Sequence, residues 1–130
     1  MLSDRPALVA LPSPALSRDE LATSIVVYGE VLEHIKGAPD YAARRASLRQ
    51  LVRGIRPYLI TYQIVDRYAD LRRQLRPPHG RGLIGDIDTL IAATALTHDL
   101  ELVTTDADFL RVPGLRVLLL DRTTFQPLPR

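Results

Sequence analysis

Cysteine is absent from the 130 residues, which excludes disulfides and thiolate metal sites. A cysteine-free chain fits a reducing cytosol, although exported bacterial proteins share the trait. No stretch approaches the ~20 apolar residues that span a bilayer. Met1 to Leu11 lacks the long apolar run and small-residue cleavage site of a signal peptide. The expectation is a soluble, cytoplasmic protein. Several catalytic signatures are missing too: there is no Gly-rich phosphate loop, no HExxH and no thiol nucleophile. The histidines, His34, His79 and His98, are scattered without ligand spacing, and His98 is expected to interact with the C-terminus of its own helix. Lysine is nearly absent, Lys36 being the only one among 17 basic residues.

What is present is enough for one compact domain. Hydrophobic residues make up 46% of the chain, and a protein of this length buries roughly two-thirds of its unfolded surface. We read residues 1–130 as a single domain, with an irregular N-terminal segment over 1–19 and a C-terminal tail over 121–130. Formal net charge is +2 and the pI about 9.3. The bias to arginine suits phosphate recognition, because a guanidinium donates two parallel hydrogen bonds. The same bias also follows from genomic base composition.

Pro6, Pro12 and Pro14 interrupt the first segment, which reads as a helical turn and a loop. Leu21 to Ser24 reads as a short strand. Ser24 is a plausible N-cap for a helix from Ile25 to Lys36, with Val27, Val31 and Ile35 at helical spacing and Gly37 as the stop. Asp40 is expected to cap a second helix to about Gly54, with Tyr41, Leu48, Leu51 and Val52 as its apolar positions. Pro57 to Ile60 is a strand candidate. Thr61 then opens a helix to about Leu75, whose buried side is expected to be Ile64, Val65, Tyr68, Ala69 and Leu71, with Arg67, Arg72, Arg73 and Arg76 facing elsewhere. Pro77 to Gly82 is a loop. Asp86 to Leu96 is the clearest helix, with Ile87, Leu90, Ile91, Thr94 and Ala95 repeating at i, i+3, i+4, i+7 and i+8. Leu100 to Thr104 and Val117 to Leu120 read as strands, Phe109 as part of a helical turn, and Pro113-Gly114 as a turn. Strands alternating with helices imply a parallel sheet covered on both faces.

Three acidic places carry chemical weight. Asp86 and Asp88 open the clearest helix. Asp86 is explained as an N-cap, and first-turn acids suit the helix dipole, but one cap leaves Asp88 less accounted for. Asp106 and Asp108 follow the end of a buried strand, where ligands bind in open α/β sheets; Asp106 is equally suited to cap the short helix around Phe109. Glu30 borders the apolar side of its helix, and as a lone residue reads as surface. Together the three places suggest a hard-cation cluster. Mg²⁺ and Mn²⁺ take oxygen ligands, and such an ion lowers the pKa of bound water and stabilises charge on a phosphoryl oxygen.

At these residues the sequence resembles the PIN-domain family, and within it the VapC-type toxins. The run Asp88-Thr89-Leu90-Ile91-Ala92-Ala93-Thr94-Ala95-Leu96 looks like the family's Asp-x-x-Ile-Ala-Ala-x-Ala-Leu helix. Leu102 to Phe109, followed by Val112-Pro113-Gly114-Leu115, looks like its terminal acidic segment. Ser24 to Leu32 resembles the helix that carries its glutamate. The resemblance covers about Glu20 to Leu120. It implies a three-layer α/β/α fold with a parallel sheet and RNA cleavage dependent on Mg²⁺ or Mn²⁺. By position Glu30, Asp88 and Asp106 match catalytic and metal-binding acids, Asp86 and Asp108 auxiliary acids, and Thr104 the hydroxyl beside the metal. It further implies a cognate antitoxin, an RNA substrate, and a homodimer or a hetero-oligomer with the antitoxin. The family begins with an apolar strand ending in Asp, and this sequence shows no such strand. Met1-Leu2-Ser3-Asp4-Arg5-Pro6 looks more like the end of the helix that normally follows it, so either the true start lies upstream of Met1 or the protein is a remnant. The expected fold therefore lacks the usual first strand. The alternative to a working nuclease is a catalytically impaired or truncated module that binds an antitoxin without turnover.

Overall fold

The computed structural model describes residues 23–54, 57–121, 123–124 and 127–128. The expectations for Met1 to Ala22, including the absent first strand, lie outside the described residues.

The described chain runs β1 (Thr23–Ser24), α1 (Ile25–Lys36), α2 (Tyr41–Gly54), β2 (Pro57–Tyr58), α3 (Tyr62–Leu75), α4 (Asp86–Thr97), β3 (Leu102–Thr104), a 3-10 helix (Ala107–Arg111) and β4 (Val117–Leu119). Helices and parallel strands alternate as the sequence implies. β1 pairs in parallel with β2, and β3 with β4. The strands are shorter than expected, and among the described residues β1 and β3 do not pair with each other. The parallel sheet is thus present as two pairs.

Side-chain caps set two helix starts. Ser24 Oγ accepts the Val26 amide at 3.2 Å, and Thr61 Oγ1 accepts the Ile64 amide at 3.3 Å, each satisfying a backbone donor that has no partner within its helix. The expected cap at Asp40 is different: its carboxylate takes Arg44 Nε at 2.8 Å, an exposed i, i+4 pair of small energetic value. α2 has no buried residue, and Leu51 is exposed.

α4 is the centre of the core. Its amphipathic pattern understates it, because Thr89 and every residue from Ile91 to Ala95 are buried. Two features permit this. Ala92, Ala93 and Ala95 are small enough for neighbouring elements to approach on several sides. Thr89 and Thr94 return their hydroxyls to the carbonyls of Gly85 and Leu90, both at 2.8 Å, so burial leaves no hydroxyl hydrogen unpaired. α3 and α1 pack against α4, and Ile64, Leu71, Leu75, Ile84, Leu102, Phe109 and Val112 complete the cluster. Val65 and Ala69, expected on the buried side of α3, are exposed. The true buried face is Ile64, Leu71 and Leu75, a stripe rotated away from Val65.

α4 stops without glycine. Asp99 adopts φ 54°, its amide donates to Leu96 O at 3.3 Å, and the Leu100 amide returns to Ala95 O at 2.8 Å. This double closure is the usual way of satisfying the last carbonyls of a helix. Arg116 holds Asp99 by its carbonyl at 2.8 Å and its carboxylate at 3.2 Å. The His98 backbone closes on Thr94, but its imidazole stacks on Tyr58 with ring centroids 3.8 Å apart, a contact across elements that helix-end chemistry does not anticipate. Between α3 and α4, glycine is required at position 80, where a Cβ would be driven into the Gln74 carbonyl and the Leu75 backbone.

The stretch read as a C-terminal tail returns to the sheet. Leu120 bridges Pro127, and the Leu128 amide donates to Leu119 O at 2.9 Å. Asp121 makes the turn, accepting the Thr123 hydroxyl at 2.6 Å, the Thr123 amide at 2.8 Å and the Thr124 amide at 3.0 Å. These donors, the Thr123 hydroxyl first, lower its pKa from 3.8 to about 2. A carboxyl depressed in the folded state binds its proton more tightly when unfolded. The stability it contributes is complete above its unfolded value and is lost as pH falls through its folded value. In an acid titration by NMR, the Thr123 and Thr124 amides should shift together with a midpoint near 2. A midpoint at the ordinary carboxyl value would show that the turn does not hold the charge.

Candidate active site

The acidic residues lie on three segments: Glu30 on α1, Asp86 and Asp88 in the first turn of α4, and Asp106 and Asp108 just after β3. Gly85 is the N-cap of α4 and gives no side-chain cap. Asp86, expected as the cap, is one residue inside the helix. Its Oδ1 instead accepts the Tyr68 hydroxyl at 3.1 Å and pairs with Arg72. Arg72, expected to face elsewhere, therefore turns toward α4, and Asp86 tethers α3 to the start of α4. The helix starts one residue earlier than a cap at Asp86 requires, with the Thr89 amide on Gly85 O at 2.8 Å as its first bond, so the Asp86 carboxylate is placed to pair with a guanidinium on the neighbouring helix.

Asp88 is a different kind of acid. It is 5% exposed and its Oδ1 is buried. A buried carboxylate is costly unless its surroundings favour the charge. Its place in the first turn of α4 does so in part, since the helix dipole favours negative charge there. Gly85 keeps one side of the group clear, because a Cβ there would lie 3.7 Å from Asp88 Oδ2.

At the other edge, Thr104 ends β3 and is buried. Its Oγ1 accepts the Asp106 amide at 3.0 Å, and Asp106 Oδ1 in turn accepts the Asp108 amide at 2.9 Å. Asp106 therefore caps the 3-10 helix, as its alternative reading anticipated. Asp108 pairs with Arg111 at 2.8 Å. Arg111 Nη1 also reaches the carbonyls of Gly82 and Leu83, at 3.4 and 3.3 Å. One guanidinium thus fastens the segment after β3 to the loop before α4 and draws the two acidic segments together. Sequence reasoning did not single out Arg111. Its only local signal is the Asp108–Arg111 spacing of three residues, common to many ordinary helix pairs.

Glu30 lies on α1, which packs against α4; it is partly buried, with Oε1 enclosed. The arginines Arg72 and Arg111 attend the outer acids Asp86 and Asp108, giving those two a tethering role. The remaining donors, Glu30, Asp88, Asp106 and Thr104, are all hard oxygens, a set that fits Mg²⁺ or Mn²⁺ by ligand type. The match is chemical only: among the described residues no group of three or more acids or histidines stands close enough to hold a metal ion. Nor is any helix among them long and apolar enough to cross a membrane.

The sequence profile of the PIN domain matches residues 5–115, and the chain belongs to the PIN-domain family. Its relatives place it with the VapC type. Ribonuclease VapC4 of Mycobacterium tuberculosis (strain ATCC 25618 / H37Rv) is 30% identical over 124 residues, covering 90% of this chain and 94% of the relative. Among solved structures, VapBC-1 from nontypeable Haemophilus influenzae matches with a TM-score of 0.71 and 23% identity, over 82% of this chain and 78% of the other. VapBC-5 from Mycobacterium tuberculosis, a member of the VapBC family of toxin-antitoxin systems, matches with a TM-score of 0.69 and 24% identity, over 87% and 92%. These likenesses support the three-layer α/β/α PIN fold.

Proposed function

We propose that this chain is the ribonuclease toxin of a VapBC-type pair and cleaves RNA phosphodiester bonds at the junction of α4 and β3. The observation that carries the reading is Asp88. A carboxylate 5% exposed in the first turn of the central helix is an uncommon placement for an acid, and it stands in a chain whose relative VapC4 is a ribonuclease. Glu30, Asp88 and Asp106 would hold Mg²⁺ or Mn²⁺, with Thr104 positioning Asp106 through its amide. Bound there, the ion supplies Lewis-acid stabilisation of phosphoryl charge and a water of lowered pKa. The protein's own part is to fix the acids on rigid elements. Asp88 is set by the first turn of α4, Asp106 by Thr104, and both segments by Arg111. Exposed arginines would steer the RNA backbone. By analogy with the VapBC relatives, the partner is a cognate antitoxin.

Purified chain incubated with RNA should cleave it in Mn²⁺ or Mg²⁺, lose cleavage in EDTA and regain it when the metal is restored. The second reading, a module that binds an antitoxin without turnover, is favoured by the acids among the described residues not closing into a group of three. A folded chain that binds its antitoxin and leaves RNA intact in every metal tested would establish that reading in place of the first.

A further inference from the structure

α2 buries no residue, so the core does not dictate its composition. It carries four arginines and no acid. Arg44 is paired with Asp40 at 2.8 Å. Arg45, Arg49 and Arg53 follow one another at i, i+4 and i+8, a row along one flank of the helix. None of the three has an ion pair among the described residues. Like charges at i, i+4 disfavour a helix, so the row works against the element that bears it. Arg49 and Arg53 are exposed. Arg45 is half-buried, and its enclosed Nε has no acceptor among the described residues. Its guanidinium is thus held against the protein with hydrogen-bonding capacity unused. The row also runs beside the helix that carries Glu30. Leu48, Leu51 and Val52 line a cavity with Val27, Tyr28 and Val31 of α1, which sets Arg49 and Arg53 level with that part of α1.

We propose that Arg45, Arg49 and Arg53 form a subsite for the phosphate backbone of the RNA, away from the bond that is cut. The inference rests on the ribonuclease reading and adds to it a place where the strand is held. The three arginines recur about 6 Å apart along the helix axis, at 1.5 Å per residue. Fixed charges at a regular interval follow a chain whose anionic groups recur regularly, and each guanidinium donates two parallel hydrogen bonds to a phosphate. Contacts of this kind position the strand without reading its sequence. An acidic protein segment is a poorer occupant. Protein interfaces centre on apolar anchors, and Leu51, the exposed large apolar residue of α2, lies two residues from both Arg49 and Arg53, on the other flank.

Anisotropy of a labelled single-stranded RNA, with the full chain in EDTA, tests the subsite without cleavage. Arg49→Gln and Arg53→Gln should each lower the slope of log affinity against log salt by about 0.7, the share of one phosphate contact on a single strand. The triple variant that adds Arg45→Gln should lower it by about 2. Glutamine has a helix preference close to that of arginine, and a triple lysine variant, which keeps the charge, should keep most of the slope. Arg67→Gln makes the same charge change at an exposed position of α3 and should leave the slope as it is. A wild type that binds no RNA overturns the proposal. So does a slope that the α2 variants leave unchanged, or that Arg67→Gln lowers equally, which would reduce the effect to net charge. Unchanged RNA binding with weakened binding of polyglutamate would give the row to an acidic protein segment instead. The subsite and the nuclease reading fail separately: RNA held by the row but cut in no metal removes only the nuclease, and cleavage with an unchanged slope removes only the subsite. If the triple variant does not fold, the two single variants decide.

Discussion

Exchanging Asp88 for asparagine is expected to lower RNA cleavage on the order of a hundredfold or more, the scale for removing a charged group that acts on the reacting centre, with little change in stability. The two effects separate because asparagine keeps the shape of the side chain and removes only its charge. The fold loses a favourable charge at the helix N-terminus, about 0.3–1 kcal/mol, while the amide keeps the hydrogen-bonding shape of a side chain that is 5% exposed. A purely structural Asp88 would therefore show nearly wild-type cleavage in a variant that melts slightly earlier or later. Asp106→Asn gives an independent reading of the same site. Asparagine caps a helix as well as aspartate does, so it should still accept the Asp108 amide now held at 2.9 Å. A comparable loss of cleavage in that variant would report the charge of Asp106 rather than its cap. Binding of Mn²⁺ by calorimetry supplies the companion measurement: heat in the wild type that vanishes in Asp88→Asn would show that the acids assemble around an ion. Full activity in both variants would remove the acidic site from the proposal.

The parts of the fold that were legible beforehand are those governed by neighbours in sequence. α1 begins and ends where Ser24 and Gly37 place it, because capping involves residues a turn apart. α3 opens at Thr61 for the same reason. The acidic helix was legible as a helix, yet its central position was not. The burial of Thr89 and Thr94 depends on hydroxyls turned back to carbonyls at 2.8 Å, and nothing in hydrophobic spacing encodes that. Asp86 is the clearest case of tertiary structure overriding a local preference. Its partners Arg72 and Tyr68 lie on another helix, 14 and 18 residues away, and no local rule reaches them. Val65 and Ala69 failed in the opposite sense. Apolar residues at helical spacing were assigned to the core, whereas the helix had two apolar stripes and buried only one. The acids Asp88 and Asp106 were legible by type and place, while the tie between their segments was not, since Arg111 works through the carbonyls of Gly82 and Leu83. Backbone acceptors leave no signature in sequence.

Phe109→Ala should be the most destabilising single truncation in the described chain, costing about 3–5 kcal/mol. Phe109 is wholly buried and is the largest such side chain. It belongs to the core cluster with Ile91, Leu102 and Val112, so its removal opens a cavity bounded by α4 and β3, elements too regular to collapse into it. Against a total stability of roughly 5–15 kcal/mol for a domain, that loss leaves a chain near the threshold of folding, with a thermal midpoint lowered by about 10–20 °C. The neighbouring Leu110→Ala is the control. Leu110 is 55% exposed, and its truncation should stay within about 0.5 kcal/mol. The position of Phe109 gives the pair a second use. It is set between Asp108 and Arg111 on the 3-10 helix that Asp106 caps, so the ring that anchors the core also seats the acidic segment. At a temperature where Phe109→Ala is still folded, its Mn²⁺ affinity should fall while that of Leu110→Ala does not. Equal affinity in the two would mean that Thr104 and Arg111 position Asp106 without help from the core. A denaturation midpoint for Phe109→Ala close to that of Leu110→Ala would contradict the packing itself.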